Sequence, residues 1–357
     1  MKALLLAGGT GSRLRPFTHT GAKQLLPIAN RPVLFYALDS LAAAGVTDAG
    51  VVVGAHEAEI RRAAGDGSAF GLRLTYLRQE RPLGLAHAVL VARAFLGDDD
   101  FLLYLGDNYL PEGVHGFLDR ARAEPAAARL LLTRVADPTA FGVAEVDTVH
   151  GDRVLRLEEK PERPRSDLAL VGVYAFSAAV HDAVRAITPS ARGELELTHA
   201  VQWMIDRGLS VRAEATSAPW RDTGNVDDML EANRHVLDTL VGAIDGKVDE
   251  RSTVRGRVRI AEGAVVRGSR ITGPAIIGPG AVVTGSHIGP YTAVAEDCRI
   301  EDSVIAHSVL LPGARVAGAP RIEDSLIGRG AVVASAPTPT RAHRLVIGDH
   351  SKVQLTP

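Results

Sequence analysis

The chain opens with MKALLLAGGTGSRLRPFTHTGAKQLLP (residues 1–27), in which a short apolar run meets three glycines within four positions. The apolar run predicts a buried parallel strand at the start of the fold. Glycine tolerates positive φ and carries no side chain, so the backbone beyond the strand can turn several N–H groups toward one anion. We therefore predict a phosphate-binding loop made of Gly8, Gly9, Thr10 and Gly11.

Two cations follow the glycine loop. Arg13 offers a planar guanidinium fork for phosphate oxygens. Lys23 is informative because lysine accounts for only five of the 40 basic residues, so it indicates a position that needs a compact ammonium. Two other phosphate loops do not fit. Leu14 stands where a dinucleotide fingerprint has its third glycine, and the Gly-Lys-Ser/Thr triplet of a Walker loop does not follow.

Length and composition predict a globular protein with two domains. The chain has 357 residues, which is long for one core, and its net charge is only −2. No long basic run is present, which argues against nucleic-acid binding. No apolar run approaches the ~20 residues of a membrane span, and the apolar opening is shorter than the roughly 7–15 residues of an export signal. Cys298 is the only cysteine, which fits a reducing cytoplasm.

Residues 1–240 alternate short apolar runs with amphipathic stretches, which predicts a Rossmann-like α/β domain with a mixed, mostly parallel sheet. Predicted parallel strands cover 2–7, 50–55, 72–77 and 101–106. Predicted helices cover 32–45, 84–97, 178–187, 198–207 and 226–240. Added strands, partly antiparallel and expected to form a wall over the crevice, cover 129–135, 142–147, 153–160 and 168–176. In such a fold, ligands bind beyond the carboxyl ends of the strands.

From residue 247 to residue 357 the pattern changes. Apolar residues recur about every six positions, and near copies such as IGPGAVV and IGPYTAV follow one another. A six-residue period is typical of a parallel β-helix, in which three hexads close one coil. The repeat resembles the left-handed hexapeptide-repeat domains, and about five coils would fit. The stretch APTPT (336–340) is interpreted as a linker, and IGDHSKV (347–353) as a last rung.

Further motifs point to a known family. They are QERPLGLAHA (79–88), LGDN (105–108), FGVAEVD (141–147), EEKP (158–161), SARGELELT (190–198) and WRDTGN (220–225). Together with the opening stretch, these motifs resemble the sugar-1-phosphate nucleotidylyltransferases, specifically the long-form thymidylyltransferases with an appended β-helix. The resemblance covers essentially the whole chain.

The resemblance implies a reaction in which an oxygen of glucose 1-phosphate attacks the α-phosphorus of dTTP and yields dTDP-glucose and pyrophosphate. Both substrates are anions, so the catalyst must neutralise charge and align the attacking oxygen with the leaving group. By resemblance, Arg13, Lys23 and Lys160 are the catalytic cations. Asp107 and Asp222 are implied to hold Mg²⁺, through which Asp107 also binds the nucleotide.

The remaining site residues are also implied by the resemblance. Gln79 is the predicted reader of the pyrimidine, because an amide can donate to and accept from thymine or uracil at once. Pro82 and Gly84 are expected to shape the base pocket. The implied sugar-phosphate contacts are Asn108, Gly142, Glu159, Lys160, Val171 and Glu194. His199 departs from the family, which usually has an aspartate there, and we expect it to cap a helix.

Three alternatives remain open. A uridylyltransferase would share the loop, and glutamine reads uracil as readily as thymine. A bifunctional enzyme with hexapeptide acyltransferase activity would need a histidine base, for which the candidates are His287, His307, His343 and His350. A binding-only regulatory subunit would lack one of the central acids or cations, all of which this sequence has. We also expect a homo-oligomer, since the faces and end coils of a β-helix can dock on a second chain.

Overall fold

The computed structural model describes residues 1–147, 151–335, 350–352 and 354. The chain divides into two compact units. The first consists of Met1–Thr10 and Val33–Asp222, and the second of Gly11–Pro32 and Thr223–Pro357. The units are defined by which residues pack together, and the boundary between them divides the glycine loop after Thr10. The predicted sequence domains, 1–240 and 247–357, stay a prediction.

The elements before the repeats are short strands and helices in alternation. The strands are β1 (Lys2–Ala7), β2 (Pro27–Ile28), β3 (Arg31–Pro32), β4 (Asp48–Val53), β5 (Arg73–Arg78), β6 (Phe101–Leu105), β7 (Asn108–Tyr109), β8 (Ala128–Arg134), β9 (Gly142–Val146), β10 (Val154–Glu159), β11 (Leu168–Phe176), β12 (Val211–Thr216) and β13 (Arg221–Asp222). The helices are α1 (Val33–Ala43), α2 (Glu57–Ala64), α3 (Leu85–Val91), α4 (Arg93–Leu96), α5 (His115–Ala123), α6 (Val180–Ala186), α7 (Leu197–Asp206) and α8 (Val226–Asp238).

The first unit is built on a nine-stranded sheet with the order β10-β9-β11-β6-β1-β4-β5, in which β8 also pairs with β11 and β12 with β8. As predicted, β5, β4, β1 and β6 are parallel. β11 is antiparallel to β6, β8 and β9, and β10 is antiparallel to β9. The added strands are thus partly antiparallel, as predicted, and they extend the same sheet because β11 pairs directly with β6. The expected wall over the crevice stays a prediction.

The strands in the middle of the sheet have continuously apolar sequences, which accounts for their position there. All nine residues of β11 are buried, and so are five of the six residues of β1. Such runs are typical of strands covered on both faces. The helix predicted at 84–97 is two helices, α3 and α4, which meet at Ala92. β12 was not predicted, because its VRAEAT sequence alternates apolar and polar residues over only six positions.

The repeats form three parallel sheets, which is the arrangement of the predicted left-handed β-helix. One sheet contains β14 (Ala243–Ile244), β17 (Val258–Ile260), β20 (Ala275–Ile277), β23 (Thr292–Val294), β26 (Val309–Leu310) and β28 (Leu326–Ile327). The next contains β15 (Lys247–Val248), β18 (Val265–Arg267), β21 (Val282–Thr284), β24 (Arg299–Glu301), β27 (Arg315–Ala317) and β29 (Val332–Ala334). The third contains β16 (Thr253–Arg255), β19 (Arg270–Thr272), β22 (His287–Ile288) and β25 (Val304–Ile305).

Most coils are one residue shorter than three hexads, although the step from Val294 to Leu310 is 16 residues and the step from Val248 to Val266 is 18. Ile260 pairs with Ile277, and Ile277 with Val294, so these coils advance by 17 residues. The predicted linker at 336–340 lies outside the described residues, and so does the predicted last rung at 347–353 apart from 350–352.

A ladder of serines closes one corner of the β-helix. The backbone N–H of Ser286 donates to the hydroxyl of Ser269 at 3.1 Å, and that of Ser303 donates to Ser286 at 3.1 Å. Each hydroxyl in turn donates to a carbonyl two residues earlier, as Ser286 does to Thr284 at 2.7 Å. Buried backbone N–H groups at the corner are thereby satisfied without a sheet partner.

The segment Gly11–Pro32 packs within the second unit rather than on the sheet. Leu14 and Leu26 are buried in a cluster with Met229 of α8 and with Leu311 of the β-helix. Asn233 of α8 lies beside them: it accepts from Ala29 N–H at 2.9 Å and donates to the Tyr291 carbonyl at 3.0 Å. Asn30 donates to the Val294 carbonyl at 2.7 Å. One helix and one β-helix face therefore hold the segment that contains Arg13 and Lys23.

We expect Ser286→Ala to loosen the serine ladder. The substitution leaves the buried N–H of Ser303 without its acceptor, which costs about 1–3 kcal/mol. Hydrogen–deuterium exchange of peptides that contain Ser303 should accelerate, and the denaturation midpoint should fall. The control is Ser325→Ala, because Ser325 also donates to a carbonyl two residues earlier but lies near the end of the described coils. Equal effects of both substitutions would contradict the ladder's role.

Candidate functional site

The parallel strands of the first unit end together at one edge of the sheet. β1 and β6 end side by side, and the N–H of Gly106 donates to the Leu6 carbonyl at 2.9 Å. Gly8 follows β1, and a Cβ built there would lie 3.3 Å from Gln79 Oε1 and 3.5 Å from the nitrogen of Gly54. Glycine at position 8 thus lets the loop run close to the predicted base reader. Gly9 and Thr10 follow it and are exposed.

Gln79 is held by polar contacts to the turn that precedes α3. Its Nε2 lies 3.2 Å from the Gly84 carbonyl oxygen and 2.9 Å from His87 Nδ1. Gly84 has a φ of 104°, and any Cβ there would collide with the backbone of Leu195. The approach of the GELELT segment therefore explains why position 84 is a glycine. Pro82 lies exposed in the same turn.

The two predicted metal ligands lie at a short ladder of two paired strands, Asp222 on one strand and Asp107 directly before the other. β7 follows Asp107, β13 ends with Asp222, and the antiparallel register places Asp222 opposite Asn108. Asn108 is 2% exposed and organises this ladder: its Oδ1 accepts from Trp220 Nε1 at 2.6 Å, and its Nδ2 lies 3.3 Å from Asp107 Oδ1. The Asn108 side chain thus positions Asp107, and its own contact with a sugar phosphate stays a prediction.

Glu159 and Gly142 face each other in the register of β10 and β9. Glu159 Oε2 accepts from Thr198 Oγ1 at 3.1 Å. A Cβ at Gly142 would lie 2.8 Å from Thr198 Cγ2 and 3.5 Å from Glu159 Oε2, so a larger residue would crowd the carboxylate. The predicted sugar contacts Glu159 and Gly142 are therefore adjacent. Glu194 lies in the segment that leads into α7.

Lys160 directly follows β10 and has an unusual backbone conformation. Its φ is 44°, a value that non-glycine residues rarely adopt, and its N–H donates to the Phe141 carbonyl at 2.9 Å. Such strain concentrates at functional positions. The ammonium lies 3.9 Å from Glu159 Oε1 with its side chain 45% exposed. Lys160 therefore presents a charge to solvent beside the predicted sugar carboxylate.

Arg192, to which the sequence motifs assigned no role, joins the acids of this region. Its Nη2 donates to Glu196 Oε1 at 2.8 Å and to Glu159 Oε1 at 3.2 Å. It also lies 3.9 Å from Glu194 Oε2. Ser190 Oγ donates to the same Glu196 oxygen at 2.7 Å. The signal was present in SARGELELT, where the only arginine stands close in sequence to Ser190, Glu194 and Glu196.

Burial raises the pKa of the Glu159 carboxyl above its ordinary value, and the neighbouring carboxylate of Glu196 raises it further. Lys160, Arg192 and the hydroxyl of Thr198 lower the same pKa and partly offset these effects. The charge on Glu159 thus depends on the residues around it, which is common at sites that bind polar ligands.

Two further residues singled out in the sequence, Val171 and His199, lie in the first unit. Val171 is fully buried in β11, so only its backbone is available for a sugar contact. Gly172 next to it has a φ of 80°, and a Cβ there would meet Leu105 at 2.8 Å. The expectation that His199 caps a helix is wrong. Glu196 is at the N-cap of α7, and His199 lies exposed in the first turn.

The cations that follow the glycine loop lie in the second unit. Gly11 has a φ of 64°, and its carbonyl accepts from Thr18 Oγ1 at 2.7 Å. A Cβ at Gly11 would lie 2.9 Å from Lys23 Cβ, so glycine allows the two ends of this loop to meet. Arg13 is exposed, and its neighbour Leu14 is fully buried. Buried leucine thus fixes the loop beside the exposed Arg13.

Comparison with known proteins assigns the family. A model described as Nucleotidyl transferase matches residues 2–239. The chain is 58% identical over 356 residues to a glucose-1-phosphate thymidylyltransferase of Streptomyces griseus, covering 100% of both chains. It is 55% identical to the protein of the same name from Streptomyces antibioticus, covering 99% of both. The chain belongs to the nucleotidyl transferase family, and the predicted membership among sugar-1-phosphate nucleotidylyltransferases is confirmed.

A solved structure agrees with this assignment. A protein of Bacillus anthracis described as a glucose-1-phosphate thymidylyltransferase, in complex with a sucrose, superposes with a TM-score of 0.63 at 33% identity. The match covers 68% of this chain and 98% of that one. The predicted class of enzyme, a nucleotidyltransferase, is confirmed by these relatives. No helix among the described residues has the length and apolar character that a membrane span requires.

We expect the pKa of Glu159 to respond to its two charged neighbours in opposite directions. Glu196→Gln removes a like charge and should lower the pKa of Glu159, whereas Arg192→Met removes an opposite charge and should raise it. Carbon-13 NMR of the glutamate carboxyls, assigned with Glu159→Gln, measures both shifts. Glu158→Gln on the same strand is the control and should leave the titration unchanged. Shifts of the same sign in both variants would contradict the arrangement.

Proposed function

We propose that the chain is a glucose-1-phosphate thymidylyltransferase, which converts dTTP and α-D-glucose 1-phosphate into dTDP-glucose and pyrophosphate. The observation that carries this proposal is 58% identity along the whole length of a relative with that name. The geometry of the first unit supports it: Gln79 follows β5 and Glu159 ends β10 of the nine-stranded sheet, while Asp107 and Asp222 lie at the separate β7–β13 ladder. No covalent nucleophile is needed, because alignment and charge neutralisation account for catalysis of phosphoryl transfer.

The nucleotide base is read by Gln79. Its amide lies beside Gly8 at the end of β1, where a nucleotide is expected in a fold of this class. The glycine loop from Gly8 to Gly11 offers backbone N–H groups to the phosphates, and Arg13 and Lys23 are proposed to neutralise the charge of the leaving pyrophosphate. UTP is the second candidate nucleotide, since uracil presents the same N3–H and O4 groups.

The sugar phosphate is bound by Glu159 and Lys160. The Glu159 carboxylate accepts from sugar hydroxyls, and Lys160 binds the phosphate. Gly142 leaves room beside the carboxylate, and Arg192 fixes its orientation through the bond to Oε1. The attacking phosphate oxygen is thereby held in place, which is where a catalyst of this kind gains most of its rate.

Mg²⁺ is the proposed metal, and the residues fit it. Asp222 of β13 and Asp107, which directly precedes β7, supply two carboxylates, and Mg²⁺ is commonly held by one or two carboxylates together with substrate phosphates and water. Among the described residues no group of three His, Cys, Asp or Glu side chains is arranged to hold a metal ion. When bound, the ion neutralises phosphate charge.

We also propose that the protein is a homo-oligomer and that it works in the cytoplasm.

We expect pyrophosphate release when the protein is mixed with dTTP, glucose 1-phosphate and Mg²⁺, and slower release with UTP. Lys23→Ala should reduce kcat by roughly 10²–10³-fold, the usual effect of removing one electrostatic donor. A coupled pyrophosphate assay measures all three rates. A large preference for UTP would assign the chain to the uridylyltransferases, and no release with either nucleotide would contradict the proposal.

We expect Asp222→Asn to raise the Mg²⁺ concentration needed for half-maximal rate. The loss of one of two carboxylate charges weakens the binding of the ion. We expect the required Mg²⁺ concentration to rise by roughly 10–100-fold or more, because substitutions of residues outside the ligand set alone reduce metal affinity by that factor. Titration of activity with Mg²⁺ at saturating substrates measures the effect. Asp98→Asn, on an exposed aspartate, is the control. An unchanged Mg²⁺ requirement would remove Asp222 from the metal site.

A further inference from the structure

The amide of Gln79 is held in one orientation by its surroundings. The Gly84 carbonyl, 3.2 Å from Nε2, can only accept a hydrogen bond. If the amide were flipped, its oxygen would face that carbonyl, and two acceptors would oppose each other. The Gln79 nitrogen must therefore point toward Gly84, and the Gln79 oxygen points toward Gly8, where a Cβ would lie 3.3 Å away.

The second amide hydrogen is used by His87. His87 Nδ1 lies 2.9 Å from Gln79 Nε2, and since that nitrogen is already a donor, Nδ1 must be the acceptor. The imidazole is then neutral with its proton on Nε2. Burial lowers the pKa of His87, and the positive charge of Arg81 lowers it further, so the neutral ring is favoured.

Both partners are themselves fixed. The GELELT segment clamps the turn, because Leu195 N–H donates to the Leu83 carbonyl at 2.8 Å and Ala86 N–H donates to the Leu195 carbonyl at 3.0 Å. His87 follows in the first turn of α3, two residues after its start at Leu85. One acceptor for Gln79 is thus a backbone carbonyl of a clamped turn, and the other is a side chain in the first turn of α3.

We propose that His87 is a positioning residue that determines which pyrimidine the enzyme accepts. With both amide hydrogens occupied inside the protein, Gln79 offers the ligand only Oε1, a hydrogen-bond acceptor. Thymine and uracil present N3–H to that acceptor, whereas cytosine presents an unprotonated N3 and meets it acceptor to acceptor. The inference rests on the proposed function and narrows the predicted role of Gln79, which no longer both donates and accepts.

The role of His87 is to make the flipped amide costly. To accept cytosine, Gln79 would have to turn its nitrogen toward the base. It would then lose the bond to the Gly84 carbonyl, and it would keep a bond to His87 only if the imidazole moved its proton from Nε2 to Nδ1. Without His87 only the bond to Gly84 opposes that rotation. A site that pairs a specific donor or acceptor discriminates strongly because the wrong ligand leaves buried polar groups unpaired. Removal of His87 should therefore weaken discrimination more than it weakens catalysis.

The test compares base discrimination in the full-length protein and its variants. For the wild type, His87→Ala, His87→Asn and the control His115→Ala, kcat/KM is measured with dTTP, UTP and CTP at saturating glucose 1-phosphate. Dissociation constants for dTTP and CTP, obtained by calorimetry, accompany the rates. His115 is an exposed histidine on α5 and is a matched control. Thermal melts establish that each variant is folded.

We expect His87→Ala to lower the dTTP-to-CTP ratio of kcat/KM by roughly tenfold, equivalent to about 1.4 kcal/mol. His87→Asn should restore most of the discrimination, because its side-chain oxygen can accept from Nε2 in place of Nδ1. A merely structural role would change the rates with all nucleotides together and leave the ratio unchanged.

The outcomes separate the inference from the function on which it rests. A wild type that turns over dTTP or UTP, with a His87→Ala variant that rejects CTP as strongly, overturns the inference alone. Failure of His87→Asn to recover the ratio lost in His87→Ala also overturns it. A wild type that neither binds nor turns over a pyrimidine triphosphate overturns the proposed function, and the inference with it.

Discussion

The short ladder between β7 and β13 is the constraint on which the candidate site depends. It joins two segments more than a hundred residues apart and places Asp222 opposite Asn108, next to Asp107. The ladder has only two residues per strand, so its stability comes from the buried side chain of Asn108 and its bond to Trp220 Nε1. A satisfied buried polar network of this kind specifies one geometry, because every alternative leaves a donor or acceptor unpaired. Without it, two carboxylates would have no reason to approach.

A second network balances charge where the sheet meets α7. Glu196 is nearly fully buried, and Glu159 is mostly buried beside it. Two buried carboxylates repel each other, and the guanidinium of Arg192 between them offsets that repulsion with bonds to both. The arrangement leaves Glu159 with one oxygen bonded to Arg192 and the other to Thr198, so its orientation is fixed before any ligand arrives. Preorganisation of this kind reduces the cost of binding.

Much of the fold followed from periodicity, and the site followed only in part. β1, β6 and β11 were predictable because their apolar runs are long, and the β-helix was predictable because its repeat is regular. The 17-residue coil and the break at Ala92 depend on local geometry that residue patterns do not encode. The metal acids and Gln79 were found through motifs. Arg192 and His87 were missed because their roles arise from contacts made in the folded chain, between Arg192 and Glu159 and between His87 and Gln79. The left-handed backbone of Lys160 had no signal, since lysine has no preference for it.

The packing of Leu14 and Leu26 has a consequence for synthesis of the protein. Leu14 is made at the start of translation, and its partner Leu311 follows 311 − 14 = 297 residues later. At about 5–20 residues per second, a ribosome needs roughly 15–60 s to supply that partner. Throughout that interval the segment that carries Arg13 and Lys23 lacks its apolar cover. The first residues to leave the ribosome are thus among the last to reach their final conformation.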